Sequence, residues 1–159
     1  KDCSEHNFSA ENCKTIAQNF LKTAGYDRMI CVWESENGTT CDLNYVYEQN
    51  GAAVYPDMIK VKVCEERGIV TGLEALPYVL NHTERNIAEP ALSKAQAEKR
   101  LGGMLETESS RLAIIPKDGS EKLAYEFCGT YGGRKYYVYL DAVTGTELDV
   151  FTVVGTQLM

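Results

Sequence analysis

The sequence predicts an α+β protein built from two tandem units, each one helix packed on an antiparallel β-sheet. Three observations carry this. Ser9 to Leu21 sets Cys13, Ala17, Phe20 and Leu21 on one helical stripe, and Ser93 to Leu105 sets Ala97, Leu101, Met104 and Leu105 at matching places 84 positions later. Alternating strand patterns follow both helices. Both units then close with a tight turn and one more strand, through Cys64-Glu65-Glu66-Arg67-Gly68 and Asp141-Ala142-Val143-Thr144-Gly145. A fixed order of elements written twice sets the architecture before any single residue is weighed.

In the first unit Ser9 is the N-cap, with Asn12 where a capping box prefers Glu or Gln. Gly25 ends that helix, because a residue without Cβ enters the left-handed region cheaply. Strands are expected at Met29–Trp33, Thr40–Tyr47, Val54–Cys64 and Ile69–Thr71, joined by Asn37-Gly38, Asn50-Gly51 and Arg67-Gly68. Pro56, which cannot donate to a ladder, is expected at a strand start or an edge. Leu73 to Leu80 reads as a short helix broken near Pro77. In the second unit Ser93 and Gln96 complete a capping box, and Gly102-Gly103 ends or bends the helix. Strands follow at Arg111–Ile115, Glu121–Phe127, Lys135–Leu140 and Thr146–Val153. The domain reading is a frayed segment 1–8, a first unit 9–80, a connector 81–91 and a second unit 92–159. Halves this small are marginal alone, so the two cores are expected to pack together.

Composition narrows the function. The 159 residues carry a net charge of −7, and both halves are acidic, which argues against nucleic acid and against simple attraction to anionic lipid. No apolar run approaches the roughly 18 residues of a spanning helix. Lys1 reads as the start of a processed piece, with any anchor lying upstream. Cys3, Cys13, Cys31, Cys41, Cys64 and Cys128 contain no C-x-x-C pair, so no metal site is expected. Cys31 and Cys41 sit on successive strands, where a hairpin bridge over about 11 residues would add roughly 3 kcal/mol. The plainer reading keeps most cysteines as small buried side chains, Cys13 and Cys64 above all.

No catalytic or cofactor site stands out. Glu34 with Glu36, Glu106 with Glu108 and Glu147 with Asp149 are spaced as acid pairs, but without the aromatic platform a glycosidase cleft would add. Gly132-Gly133 is a turn and lacks the Lys-Ser/Thr of a phosphate cradle. Cys128 and His82 have no local signature of a nucleophile and base. The better lead is aromatic: Tyr136, Tyr137 and Tyr139 crowd one strand, and an exposed tyrosine stripe suits a protein interface. His82 and Arg85 read as structural braces of the connector.

The ending Leu140-Asp141-Ala142-Val143-Thr144-Gly145-Thr146-Glu147 resembles the PepSY domain, with Asp141, Thr144 and Gly145 as its turn motif. A longer series is more specific. It runs from Val54-Tyr55-Pro56-Asp57-Met58-Ile59-Lys60-Val61, through Tyr78-Val79-Leu80-Asn81-His82-Thr83-Glu84-Arg85 and Pro90-Ala91-Leu92-Ser93. It ends with Arg111-Leu112-Ala113-Ile114-Ile115-Pro116 and Leu123-Ala124-Tyr125-Glu126-Phe127. In that order these are similar to the C-terminal tandem PepSY region of the YpeB family of spore germination proteins, over about Ser9 to Val154. The resemblance implies a sporulating Gram-positive bacterium, a spore-envelope location and an N-terminal membrane anchor outside this sequence. It also implies a spore cortex-lytic hydrolase as partner, without cofactor or catalysis of its own. Protease propeptides that share the PepSY module suggest inhibition or chaperoning. Cys64-Glu65-Glu66-Arg67-Gly68 departs from the family turn. The alternatives are a peptidoglycan- or small-ligand-binding module and a hydrolase using one acidic pair.

Overall fold

The computed structural model describes residues 4–154 and 157–158. The chain divides into two compact units, Lys1–Glu48 with Pro56–Thr83, and Gln49–Tyr55 with Glu84–Met159. The first unit holds α1 (Ala10–Thr23), β1 (Met29–Asn37), β2 (Thr40–Gln49), most of β3 (Ala52–Cys64), β4 (Ile69–Glu74) and α2 (Leu76–Asn81). The second holds α3 (Lys94–Lys99), β5 (Glu106–Lys117), β6 (Ser120–Tyr131), β7 (Arg134–Asp141), β8 (Glu147–Val154) and β9 (Gln157–Leu158). Each unit is a helix on a sheet whose strands follow chain order, so the fold class is α+β and mostly antiparallel.

One pairing breaks the contiguous division that the sequence suggests. Ala52, Ala53 and Val54, at the start of β3, pair in parallel with Leu112, Ala113 and Ile114 of β5. Residues 49–55 therefore belong to the second unit. Pro56 lies within β3 at the first position of its first-unit portion, rather than at a strand start. Pro77 likewise does not break α2; it occupies the first helical turn, where its missing N–H has no partner to lose.

The helices start as the caps dictate. Ser9 accepts from the Asn12 amide, and Asn12 returns a bond to the Ser9 backbone, so asparagine completes the box. Ser93 and Gln96 do the same for α3. In α1 the buried stripe is Cys13, Ala17 and Leu21, while Phe20 is largely exposed. Tyr45 Oη donates to the Lys14 carbonyl at 2.9 Å and Gln18 Nε2 to the Met29 carbonyl at 2.9 Å, which fixes the helix on its sheet. The second helix is far shorter, 6 residues against 14. Gly102 and Gly103 take φ of 68° and 72°, and β5 begins three residues later. Leu101, Met104 and Leu105 therefore continue the stripe as irregular chain, not as helix.

The two closing turns share one hydrogen-bond scheme. In the second unit Gly145 N–H donates to the Asp141 carbonyl, Ala142 N–H to the Leu123 carbonyl, and Leu92 N–H to the Ala142 carbonyl. In the first, Gly68 donates to Cys64, Glu65 to Thr39, and Phe8 to Glu65. Ala142 thus ties the closing turn to β6 and to the residue before the helix cap, and Glu65 ties its closing turn to the turn between β1 and β2 and to the residue before the helix cap. The Asp141 side chain tightens its turn by accepting from the Val143 and Thr144 amides at 2.8 and 3.0 Å. Residues 4–8 are consequently not frayed, as the sequence suggested. Asn7 and Phe8 donate to the Glu65 carbonyl, and Ser4 donates to the Glu66 carboxylate at 2.7 Å.

Glu65 is buried where the second repeat has alanine. His6 Nδ1 meets one carboxylate oxygen, and Cys41 Sγ donates to the other at 3.1 Å. Burial pushes the Cys41 thiol well above its ordinary value, and the Glu65 carboxylate and Cys13 act in the same direction. The hairpin bridge does not form. Cys31 stands opposite Tyr45 and Cys41 opposite Glu36, which puts the two cysteines about 13 Å apart along the strands. Both are thiols, as are Cys13 and Cys128. Cys64 is disulfide-bonded, which the reading of it as a buried thiol missed. Cys3 lies outside the described residues.

The turn glycines are placed to be tested. Gly68 has φ 61°, and a Cβ there would lie 2.6 Å from the Phe8 ring; Gly145 has φ 73°, with Leu92 Cδ1 at 3.0 Å. We expect Gly68→Ala and Gly145→Ala each to lower unfolding free energy in urea by about 1–3 kcal/mol. Gly119→Ala, with the same backbone strain but open space around it, should cost less. Equal losses at all three would show that the packing against residue 8 or 92 contributes nothing.

Candidate functional site

The residues singled out from sequence fall in different surroundings. His82 belongs to the first unit. Its Nδ1 lies 2.7 Å from Oδ2 of the fully buried Asp57, and its ring stacks on Tyr78 at 4.3 Å and meets Tyr47 edge-on at 4.6 Å. Arg85 belongs to the second unit. Its guanidinium grips Glu121 with two bonds of 2.7 and 2.8 Å, while its backbone exchanges hydrogen bonds with the buried Gln49 side chain. Both residues brace the chain inside their own units.

The tyrosines of β7 divide between the faces of the sheet, as strand alternation requires. Tyr139 is buried, with Tyr137 partly buried beside it, and they pack with Ala113, Ile115, Ala124 and Tyr55. The Tyr139 hydroxyl donates to the buried Glu126 carboxylate at 2.7 Å, and Tyr55 donates to the same oxygen. Arg111 Nε pairs with the other oxygen at 3.0 Å. Burial and the adjacent Glu126 charge hold both phenols well above their ordinary range. A carboxylate so fully bonded is a structural clamp. Of the three candidate interface tyrosines, Tyr139 is therefore buried and Tyr137 partly buried on this face.

Tyr136, on the opposite face, lines an open groove of about 440 Å³ within the second unit. Its floor is sheet, including Val138 and Leu140 of β7 and Val150 of β8; its wall is the post-helix segment, with Leu101, Met104 and Leu105. Met104 is 65% exposed and Val150 41%. Arg100 and Glu147 bring one charge of each sign to the groove. The groove exists because α3 stops early. In the first unit the strand position matching Tyr136, counted back from the closing turn, is Ile59, which is fully buried where Tyr136 is only partly so. Sequence reasoning marked Tyr136 and the Gly102-Gly103 break, but not their consequence together.

The acidic pairs show no catalytic arrangement. Glu34 bonds Lys14 at 3.0 Å, Glu108 bonds Lys135 at 2.9 Å, and Glu36, Glu106 and Glu147 are exposed. Asp149 approaches Lys117 at 3.9 Å. Among the described residues no cluster of three metal-ligating side chains occurs, and no helix is long and apolar enough to cross a membrane.

The paired turns, the helix-on-sheet units and the Asp141–Gly145 motif define a tandem PepSY protein. Residues 1–88 match the family described as YpeB sporulation, PepSY1 and PepSY2 domains, and 89–151 match the peptidase propeptide and YPEB domain. The chain belongs to the YpeB family of sporulation proteins and corresponds to its C-terminal PepSY region. It is 34% identical over 148 residues to the sporulation protein YpeB of Halalkalibacterium halodurans, and 32% to that of Oceanobacillus iheyensis, covering 92% of this chain in each case. It spans 33% of the length of those two relatives. The Bacillus megaterium YpeB C-terminal domain superposes with a TM-score of 0.86 at 30% identity, over 98% of this chain and 70% of that one.

The Arg85–Glu121 pair gives a pH test. The guanidinium lowers the Glu121 pKa, so the pair's contribution is complete above the unfolded carboxylate value and is lost as pH falls through the lower folded one. Glu121 is 39% exposed, so screening limits the effect to about 1 kcal/mol or less. Glu121→Gln should lower stability at pH 7 by that amount, and the difference should shrink as pH falls below the ordinary carboxylate value. A difference that stays constant from pH 7 to pH 3 would contradict the pairing.

Proposed function

We propose that this chain is a non-catalytic module of the spore envelope, outside the cytoplasm, that binds a spore cortex-lytic hydrolase and stabilises, localises or restrains it. Membership of the YpeB sporulation family supports the setting. The observation that carries the binding role is the groove beside α3, an apolar concavity with an accessible tyrosine in a domain whose titratable groups are otherwise paired or solvated. Tyrosine-lined apolar concavities suit protein partners, whose buried anchors need desolvated pockets. A peptidoglycan strand is a poorer fit, because sugar hydroxyls entering this floor would lose hydrogen bonds. Membrane attachment is assigned to an anchor preceding this region in the whole protein.

Calorimetric titration of this chain with the cortex-lytic hydrolase of its own organism tests the reading. Binding at about 1 μM or tighter, near −8 kcal/mol, is expected. Tyr136→Ala should weaken it at least tenfold without altering the urea midpoint by more than the lost side-chain packing predicts. Absence of heat at several temperatures, with binding by a longer form of the protein only, would move the contact away from these repeats.

A further inference from the structure

We infer that the groove of the second unit is a seat for an amphipathic helix of two to three turns, supplied by a partner and independent of which protein carries it. The fold provides its own template. From Ser9 to the start of β1 the chain has seven more residues than from Ser93 to the start of β5, close to two helical turns. In the first unit those turns deliver Ala17 and Leu21 into the core, and the strand beneath them keeps Ile59 and Val61 fully buried. In the second unit the matching Leu101 and Leu105 are only partly buried, and Met104 stands at the rim. Leu101 and Leu105 keep the places of Ala17 and Leu21 but leave Met104 and Val150 accessible, and a helix face with apolar residues at i and i+4 fits the surface so left.

Charge narrows the occupant further. Arg100 lines the groove, with its Cγ and Nε packed 3.3 Å from where a Gly145 Cβ would lie, and among the described residues it makes no ion pair with Glu147 beside it. An occupant that carries a carboxylate towards the exposed Arg100 gains a charge-assisted bond at the rim. A purely apolar ligand, such as an acyl chain, would leave both edge charges unused. The helix α1 itself has this composition, with Glu11 in its first turn and Lys22 in its last.

The probe is a synthetic acetylated peptide of residues 8–25 with Cys13 replaced by Ala, titrated into the full 159-residue chain and followed by amide and methyl NMR shifts. Saturable binding at about 100 μM or tighter is expected, with shifts at Met104, Tyr136 and Val150. Met104→Glu and Val150→Glu, both exposed positions that leave the core intact, should each weaken binding at least tenfold, as should Arg100→Glu. An Ala17→Pro peptide should lose binding. Undiminished binding of the proline peptide would show apolar affinity without helix recognition and overturn the inference. Shifts confined to the first unit, which would mean exchange with α1, or no binding at 1 mM, would overturn it too.

Discussion

One main-chain arrangement holds each repeat together. The residue after the strand that enters the closing turn, Ala142 or Glu65, donates to β6 or to the turn between β1 and β2, and accepts from the residue just before the helix cap. Helix start, closing turn and sheet are thereby tied by two hydrogen bonds through a single residue. A glycine follows three positions later because the chain must turn with positive φ while Leu92 or Phe8 packs where a Cβ would stand. The helix is thus aimed across the sheet before side-chain packing adds its share, and a short helix is aimed as well as a long one.

That constraint explains how the repeats diverge without losing the fold. The first unit tolerates glutamate in place of alanine because His6 and Cys41 satisfy both carboxylate oxygens of Glu65. The second unit tolerates a helix of 6 residues, because Tyr125 donates to the Leu92 carbonyl at 2.8 Å and ties the cap to the sheet. What the short helix no longer covers becomes accessible surface. The opposite face is occupied by the Glu126 clamp with Tyr55, Tyr139 and Arg111, so it contributes rigidity and not a site.

The sequence made the repeated order, both helix starts and the hairpin turns legible, since each rests on local chemistry: Ser-x-x-Gln, Asn-Gly, Asp-Gly and Gly-Gly. Asn12 in the capping box was readable only in part, because asparagine reaches the cap amide less often than glutamine. The parallel pairing of Ala52–Val54 was not legible, because three small apolar residues carry no mark of their distant partner. Glu65 reads as a solvated turn residue until His6 and Cys41 are placed around it. The tyrosines showed the period of the strand but not which face was already filled; Tyr136 is the one of the three on the groove side. The groove itself is defined by residues that the second unit lacks, which no local pattern announces.

The proposed binding role rests on the surface that the truncated helix leaves uncovered. Hydrogen–deuterium exchange of the chain, alone and with the cortex-lytic hydrolase of its organism, addresses it most directly. Slowed exchange is expected in the segment 100–105 and in the strand around Tyr136, with the first unit unchanged. Protection confined to the first unit, or protection of the second unit that leaves 100–105 unchanged, would contradict it.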